Sequence, residues 1–270
     1  MNPFPQVQRV KYKHNPIHRL TCEYRFPTIL KINEKEIADF QETIRTQYPV
    51  YKQSIGHQNQ LKMIVSESQE DELVSPIFSR YKTINHMFFS EDNNYGVNLN
   101  STSLSVSTQK YQNWEDFSPR INTTLETFKK FYKPAFYERI GLKYVDIIHK
   151  SKLNIDKNTE WKELIQPQVL GFLNNPELTQ YIKSYTTNTE IKIGNGAMAQ
   201  IQAYLATATE TKENKPASEP EIVFIIVSDL FALRTEITEA SNCVDYLHST
   251  AYDLFRFLIT EKLHNAMVPN

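Results

Sequence analysis

Two periods of apolar residues alternate along the chain, one of two and one of three to four. Over residues 17–26, Leu20, Cys22, Tyr24 and Phe26 share one parity, with Arg19, Thr21, Glu23 and Arg25 between them. That alternation predicts a half-buried strand, which Pro27 ends. Asn33 offers an N-cap for a helix over residues 34–47, with Ile37, Phe40 and Ile44 on one stripe and Pro49 closing it. Residues 50–66 predict a strand around 60–65, and the acidic residues 66–72 read as a solvated loop. Residues 77–90 and 95–108, separated by Glu91-Asp92-Asn93-Asn94, predict a hairpin. The polar residues 100–103 divide its second arm into two strands joined by a turn. Asn113 can cap a helix in which Trp114, Phe117, Ile121, Leu125, Phe128 and Tyr132 recur, and Pro134 stops it.

Residues 136–148 sit at mid-chain and read as a buried strand. Ile140, Leu142, Tyr144 and Ile148 lie on one parity, Val145 and Ile147 on the other, so both faces are largely apolar. Arg139, Lys143 and Asp146 break the pattern. A charged crossover follows to residue 158, then a helix over 161–173 that Pro167 kinks or shortens. Residues 178–186, 190–193 and 197–209 read as successive strands, with a turn at Gly194-Asn195-Gly196. Residues 210–220 form an exposed loop, 221–231 the most apolar strand, and 243–267 a last amphipathic helix.

The order strand, helix, antiparallel strands, long helix thus occurs twice. The expected fold is α+β, a mainly antiparallel sheet with covering helices, in pseudo-duplicated halves over residues 1–135 and 136–270. The halves either share one continuous sheet or pack as two domains. At the level of fold alone, this order resembles TATA-box-binding-protein-like and helix-grip topologies.

Composition narrows the function. The net charge is -1, so no overall basic field favours nucleic acid or anionic lipid. With 6 glycines, phosphate-cradling loops and doubly wound nucleotide folds are disfavoured. Cys22 and Cys243 read as buried free thiols. The opening Met1-Asn2-Pro3-Phe4-Pro5 lacks an apolar signal region, and no run approaches the ~18 apolar residues of a span. A soluble cytoplasmic protein with no membrane partner is expected.

No G-x-S-x-G, Walker A, H-E-x-x-H or C-x-x-C sequence occurs. His14, His18 and Cys22 recur at four-residue steps, which on a strand spreads them over ~13 Å, too far for one metal. Neither a metal nor a cofactor is expected. The candidate binding residues are Arg139, Lys143 and Tyr144 on the mid-chain strand and Lys129, Lys130 and Lys133 before it. Arg139 and Lys143 share a parity and could hold an anionic partner. Their structural alternative is an ion pair across the sheet for Arg139 and an edge position for Lys143. The lysines, interleaved with Phe131 and Tyr132, form a basic aromatic stretch suited to nucleic acid, or an ordinary helix C-terminus. Gly141 points to a bulge or a close approach.

Residues 139–146, Arg-Ile-Gly-Leu-Lys-Tyr-Val-Asp, resemble the R-x-G-L-[RK]-Y-[IV]-[ND] stretch of a sparsely distributed prokaryotic family of similar length, known by number and without an assigned activity. Pro16-Ile17-His18 and Glu23-Tyr24-Arg25-Phe26 resemble that family's start, with His18 where its pattern is acidic. Leu247-His248, Phe255 and residues 259–263 resemble its C-terminal helix. The resemblance implies a bacterial or archaeal cytosolic protein, and the family's patchy distribution is that of mobile or defence-linked genes. The expected function is therefore a non-enzymatic binding or assembly module that engages a protein partner, in a defence or toxin–antitoxin-like setting. Nucleic-acid binding through a sheet face or the basic helix end is the alternative, and an enzyme with an unrecognised site the second. The pattern carries no signal for oligomeric state.

Overall fold

A computed structural model describes residues 2–33, 36–62, 77–209 and 219–270. The expected loop at 66–72 and most of that at 210–220 lie outside the described residues.

The elements, in chain order, are β1 (Ile17–Arg25), α1 (Glu36–Ile44), β2 (Val50–Lys62), β3 (Ile77–Phe89), β4 (Tyr95–Asn100), β5 (Ser103–Thr108), α2 (Trp114–Tyr132), β6 (Tyr137–Ile148), α3 (Pro167–Leu170), α4 (Pro176–Thr179), β7 (Thr186–Lys192), β8 (Met198–Ala208), β9 (Glu221–Thr235), α5 (Ala240–Leu258) and α6 (Glu261–Ala266). Among the described residues, nine strands form one antiparallel sheet, ordered β2-β3-β4-β5-β1-β6-β9-β8-β7. β1 lies at the centre, paired with β5 on one edge and β6 on the other. The two halves of the chain therefore share a continuous sheet. On each side of the β1–β6 pair the last strand of that half lies innermost and the earlier ones follow outward in reverse order.

Register explains which side is buried. Val106, Cys22, Leu142, Leu230 and Ala199 face one another in a row across five strands, and each is at most 1% exposed. The helices cover this face. α2 packs on β5, and Phe128 meets Phe26 at 4.7 Å between ring centroids. α1 packs on α2, with Phe40 and Tyr132 5.9 Å apart. α5 crosses β6 and β9, burying Val244, Leu247, Ala251, Leu254 and Leu258. Each of these valine and leucine side chains contributes ~1.5–3 kcal/mol on leaving water. The next row over, Ser105, Glu23, Gly141, Phe231 and Met198, points to the opposite face.

Caps set the helix ends. The Asn113 side chain accepts a hydrogen bond from Asp116 N at 2.9 Å and starts α2. Lys133 ends it in the left-handed conformation, φ 45°, donating its N–H to Lys129 O.

Several elements differ from expectation. Residues 161–173 are not one helix. Pro167 occupies the first turn of the four-residue α3, and Gly171, with φ 47°, ends it. Residues 178–185 are not a strand, because Asn175 caps α4 by accepting from Glu177 N, and pairing begins at Thr186. The last helix breaks at Ile259, which turns extended (φ -111°, ψ 158°) and bridges Ile165. Thr260 then starts α6 by accepting from Leu263 N. The strand expected around 60–65 begins earlier, at Val50.

The N-terminal arm before β1, residues 2–16, is pinned. Phe4 is 5% exposed and meets Phe257, Asn2 Nδ2 donates to Asp253 Oδ2 at 2.9 Å, and Lys11 and Asn270 exchange main-chain hydrogen bonds. Among the described residues, no helix is long and apolar enough to cross a membrane.

Candidate functional site

α2 covers the β5 side of the sheet and α5 the β6–β9 side. Between the start of α2 and the middle of α5 the sheet is left uncovered by a helix axis, and there a cavity of about 490 Å³ opens. Its floor holds Tyr144 and Asp146 from β6 and Ser228 from β9. Trp114 and His248 stand over it from α2 and α5, and Arg9 to Tyr12 of the arm form one wall.

The floor follows from strand period. Tyr144 and Asp146 continue the parity of Ile140 and Leu142, the side the helices cover, and Ser228 lies directly opposite Tyr144. Asp146 and Ser228 are diagonal neighbours, with backbones about 7 Å apart. Asp146 is 3% exposed, and among the described residues no side chain or backbone group hydrogen-bonds to its carboxyl. Burial alone pushes its pKa up to about 7. The Ser228 hydroxyl is buried without a partner. Two hydrogen-bonding groups thus face the cavity with nothing in the described chain to satisfy them, an arrangement proteins seldom leave open.

Above them, Tyr144 Oη and His248 Nδ1 lie 2.8 Å apart. The His248 ring stacks on Trp114, centroids 4.0 Å apart and planes within 8°. Burial first, and the Arg9 charge second, lower the His248 pKa to about 3, so the imidazole is neutral at ordinary pH. Burial holds the Tyr144 hydroxyl well above its ordinary range. Lys11 and Glu115 pair at 3.3 Å near the mouth, both exposed, and Arg9 lies 6.0 Å from the Tyr252 ring centre.

The Ser228 hydroxyl has no base within hydrogen-bond reach. Among the described residues, no three His, Cys, Asp or Glu side chains gather to hold a metal. A second polar cluster, just past the C-terminal end of β6, is internally satisfied: Glu221 accepts from Ser151 Oγ at 2.6 Å and lies 3.2 Å from His149 Nδ1, while Lys150 lies over Trp161.

The six residues singled out from sequence fall in three places. Arg139 and Lys143 do share a face, the one on which no helix lies among the described residues. There Arg139 Nη1 meets Glu23 Oε2 at 3.1 Å, Nη2 meets Asp229 Oδ1 at 2.6 Å, and the guanidinium lies over Phe231 at 4.5 Å. Lys143 is exposed. Tyr144 points the other way, into the cavity. Lys129 pairs with Glu126 at 2.8 Å, Lys130 lies over Phe131, and Lys133 forms the C-cap of α2. Ser228, Trp114 and His248 were not among the residues singled out from sequence, and Asp146 stood there only as an exception beside Arg139 and Lys143. Asp146 carried a usable signal, an acid on the apolar parity of a buried strand. No protein-family model matches the chain, and no curated protein does.

Proposed function

We propose that the chain is a binding protein that takes a small organic molecule into the cavity between the sheet and helices α2 and α5. The supporting observation is the Asp146 carboxyl, buried in that cavity without a hydrogen-bond partner. An unsatisfied buried acid costs stability, and a ligand that hydrogen-bonds to it offsets the cost. Aromatic walls and a few convergent polar groups are the usual makeup of such a site. Ligand-observed NMR with a fragment mixture tests the reading. Fragments are expected to bind the unsubstituted chain and to be lost in Ala251→Trp, which fills the cavity from α5. Equal binding to both proteins, or none to either, refutes it.

A second reading keeps the protein partner expected from sequence and places it on the helix-free face. Lys143 is exposed there, and Leu233, opposite Arg139, is 60% exposed. The mirrored strand order supports pseudo-duplicated halves, and the resemblance of residues 139–146 supports a prokaryotic family with a partner encoded nearby. Lys143→Glu is expected to abolish co-purification with a neighbouring gene product; retention of that partner removes this face. Nucleic acid is less favoured, since Lys129 is already paired and Lys133 serves as a cap. A gel shift that charge reversal at Lys129, Lys130 and Lys133 eliminates would reinstate it.

A further inference from the structure

We infer that the ligand of this cavity is an organic cation, a flat or apolar body ending in a primary ammonium or an amidinium group. This rests on the small-molecule reading above and goes on to name the chemistry.

The argument starts from the charges facing the cavity. Asp146, on the floor, is the acid buried within it. Two positive groups line the cavity, Arg9, whose charge reaches His248 and Tyr144, and Lys11. Arg9 is exposed beside Tyr252, and Lys11 is held by Glu115, with both side chains more than half exposed to water that screens them. His248 on α5 is neutral and its Nδ1 is occupied by Tyr144. The remaining titratable groups facing in are phenols, Tyr12 and Tyr111 on one side and Tyr252 on the other. Burial raises the pKa of Tyr12 and Tyr111, so both are neutral. The interior is therefore an acidic spot in an aromatic shell.

Cations suit that shell. Aromatic faces attract ammonium and guanidinium groups, and Arg9 already lies within 6.0 Å of the Tyr252 ring centre. A nitrogen over Asp146 could give one hydrogen to the carboxylate and a second to Ser228 Oγ, satisfying both open groups at once. A neutral alcohol would leave the buried charge uncompensated. An anion would face Asp146 directly. Binding a cation also favours the ionised carboxylate, so near neutral pH it is accompanied by proton release from Asp146.

Isothermal titration calorimetry at pH 8 with three indoles of one ring and different ends tests this: tryptamine (cation), tryptophol (neutral) and indole-3-acetate (anion). Tryptamine is expected to bind about tenfold more tightly than tryptophol, with indole-3-acetate weakest. Asp146→Asn is expected to remove about tenfold from tryptamine and to leave tryptophol within about threefold. In the unsubstituted chain, tryptamine affinity should rise from pH 6 to pH 8, and the heat should vary with buffer ionisation enthalpy. That last measurement stands even if Asp146→Asn fails to fold. Tryptophol matching tryptamine overturns the cation assignment and leaves the cavity reading intact. Tryptamine binding Asp146→Asn as well as the parent, or none of the three binding, also overturns it. Loss of cavity-dependent binding for every fragment overturns both.

Discussion

The Arg139 guanidinium occupies the space that a Cβ on Gly141 would take. Both residues face the helix-free side of β6, and Arg139 is held there by Glu23 on β1 and Asp229 on β9. A hydrogen in place of a side chain at 141 thus lets one arginine bridge three strands. Gly141→Ala is expected to displace it and cost about 1–2 kcal/mol. Arg139→Ala, which takes its partner from Asp229 and leaves Glu23 with Arg25 alone, is expected to cost about 2–3 kcal/mol. The two changes remove one arrangement, so the double variant should cost less than their sum in urea unfolding. Additive losses would show that the arginine does not depend on the glycine.

Asp146 and His248 make opposing contributions to stability against pH. Burial raises Asp146 from 3.8 to about 7, so its contribution is present below pH 3.8 and lost as pH rises to 7, a change of roughly 4 kcal/mol. Burial lowers His248 from 6.5 to about 3, so its contribution is present above pH 6.5 and lost as pH falls to 3. The two slopes offset each other over most of this window. Relative to the unsubstituted chain, Asp146→Asn should gain stability as pH rises from 4 to 7. His248→Gln should lose it over the same range. Unfolding midpoints at pH 4, 5, 6 and 7 decide, and offsets that do not vary with pH would refute both assignments.

Ser228→Ala should be neutral or stabilising by about 1 kcal/mol in the ligand-free protein. It removes a buried hydroxyl that has no partner. A clear loss of stability in thermal unfolding would mean that the hydroxyl is satisfied in solution.

Asp253, 7% exposed on α5, holds the arm through Asn2 Nδ2 at 2.9 Å and Val7 N at 3.3 Å. Asp253→Ala should free residues 2–8 and cost about 1–3 kcal/mol. Trypsin cleavage after Arg9 should speed up several-fold while the rest of the chain stays intact. An unchanged cleavage rate would show that the arm is held elsewhere.

Much of the fold was legible because period and parity are local. The alternation through β1 assigned its buried side correctly, and the polar stretch after Leu99 marked the β4–β5 turn; β6, read as apolar on both faces, is buried along Ile140, Leu142 and Tyr144 but exposed at Lys143 and only half-buried at Val145 and Ile147. The errors came where tertiary contacts override local pattern. Ile259 leaves the helical run to bridge Ile165, and the apolar residues around Pro167 serve short turns rather than one helix. The site was less legible. Trp114 and His248 stack although 134 positions separate them, and no local pattern encodes that meeting. Asp146 was visible as an exception without its surroundings. Arg139 had the structural reading available beforehand, a carboxylate across the sheet, and has two.

The central place of β1 has a consequence for severed chains. A cut between Lys133 and Tyr137 would give an N-terminal fragment whose β1 has lost its β6 neighbour, and a C-terminal fragment whose β6 has lost β1. Each exposes a bare row of amide and carbonyl groups complementary to the other. Co-expressed, the pieces should zip back together along that seam; expressed singly, each should recruit copies of itself and aggregate.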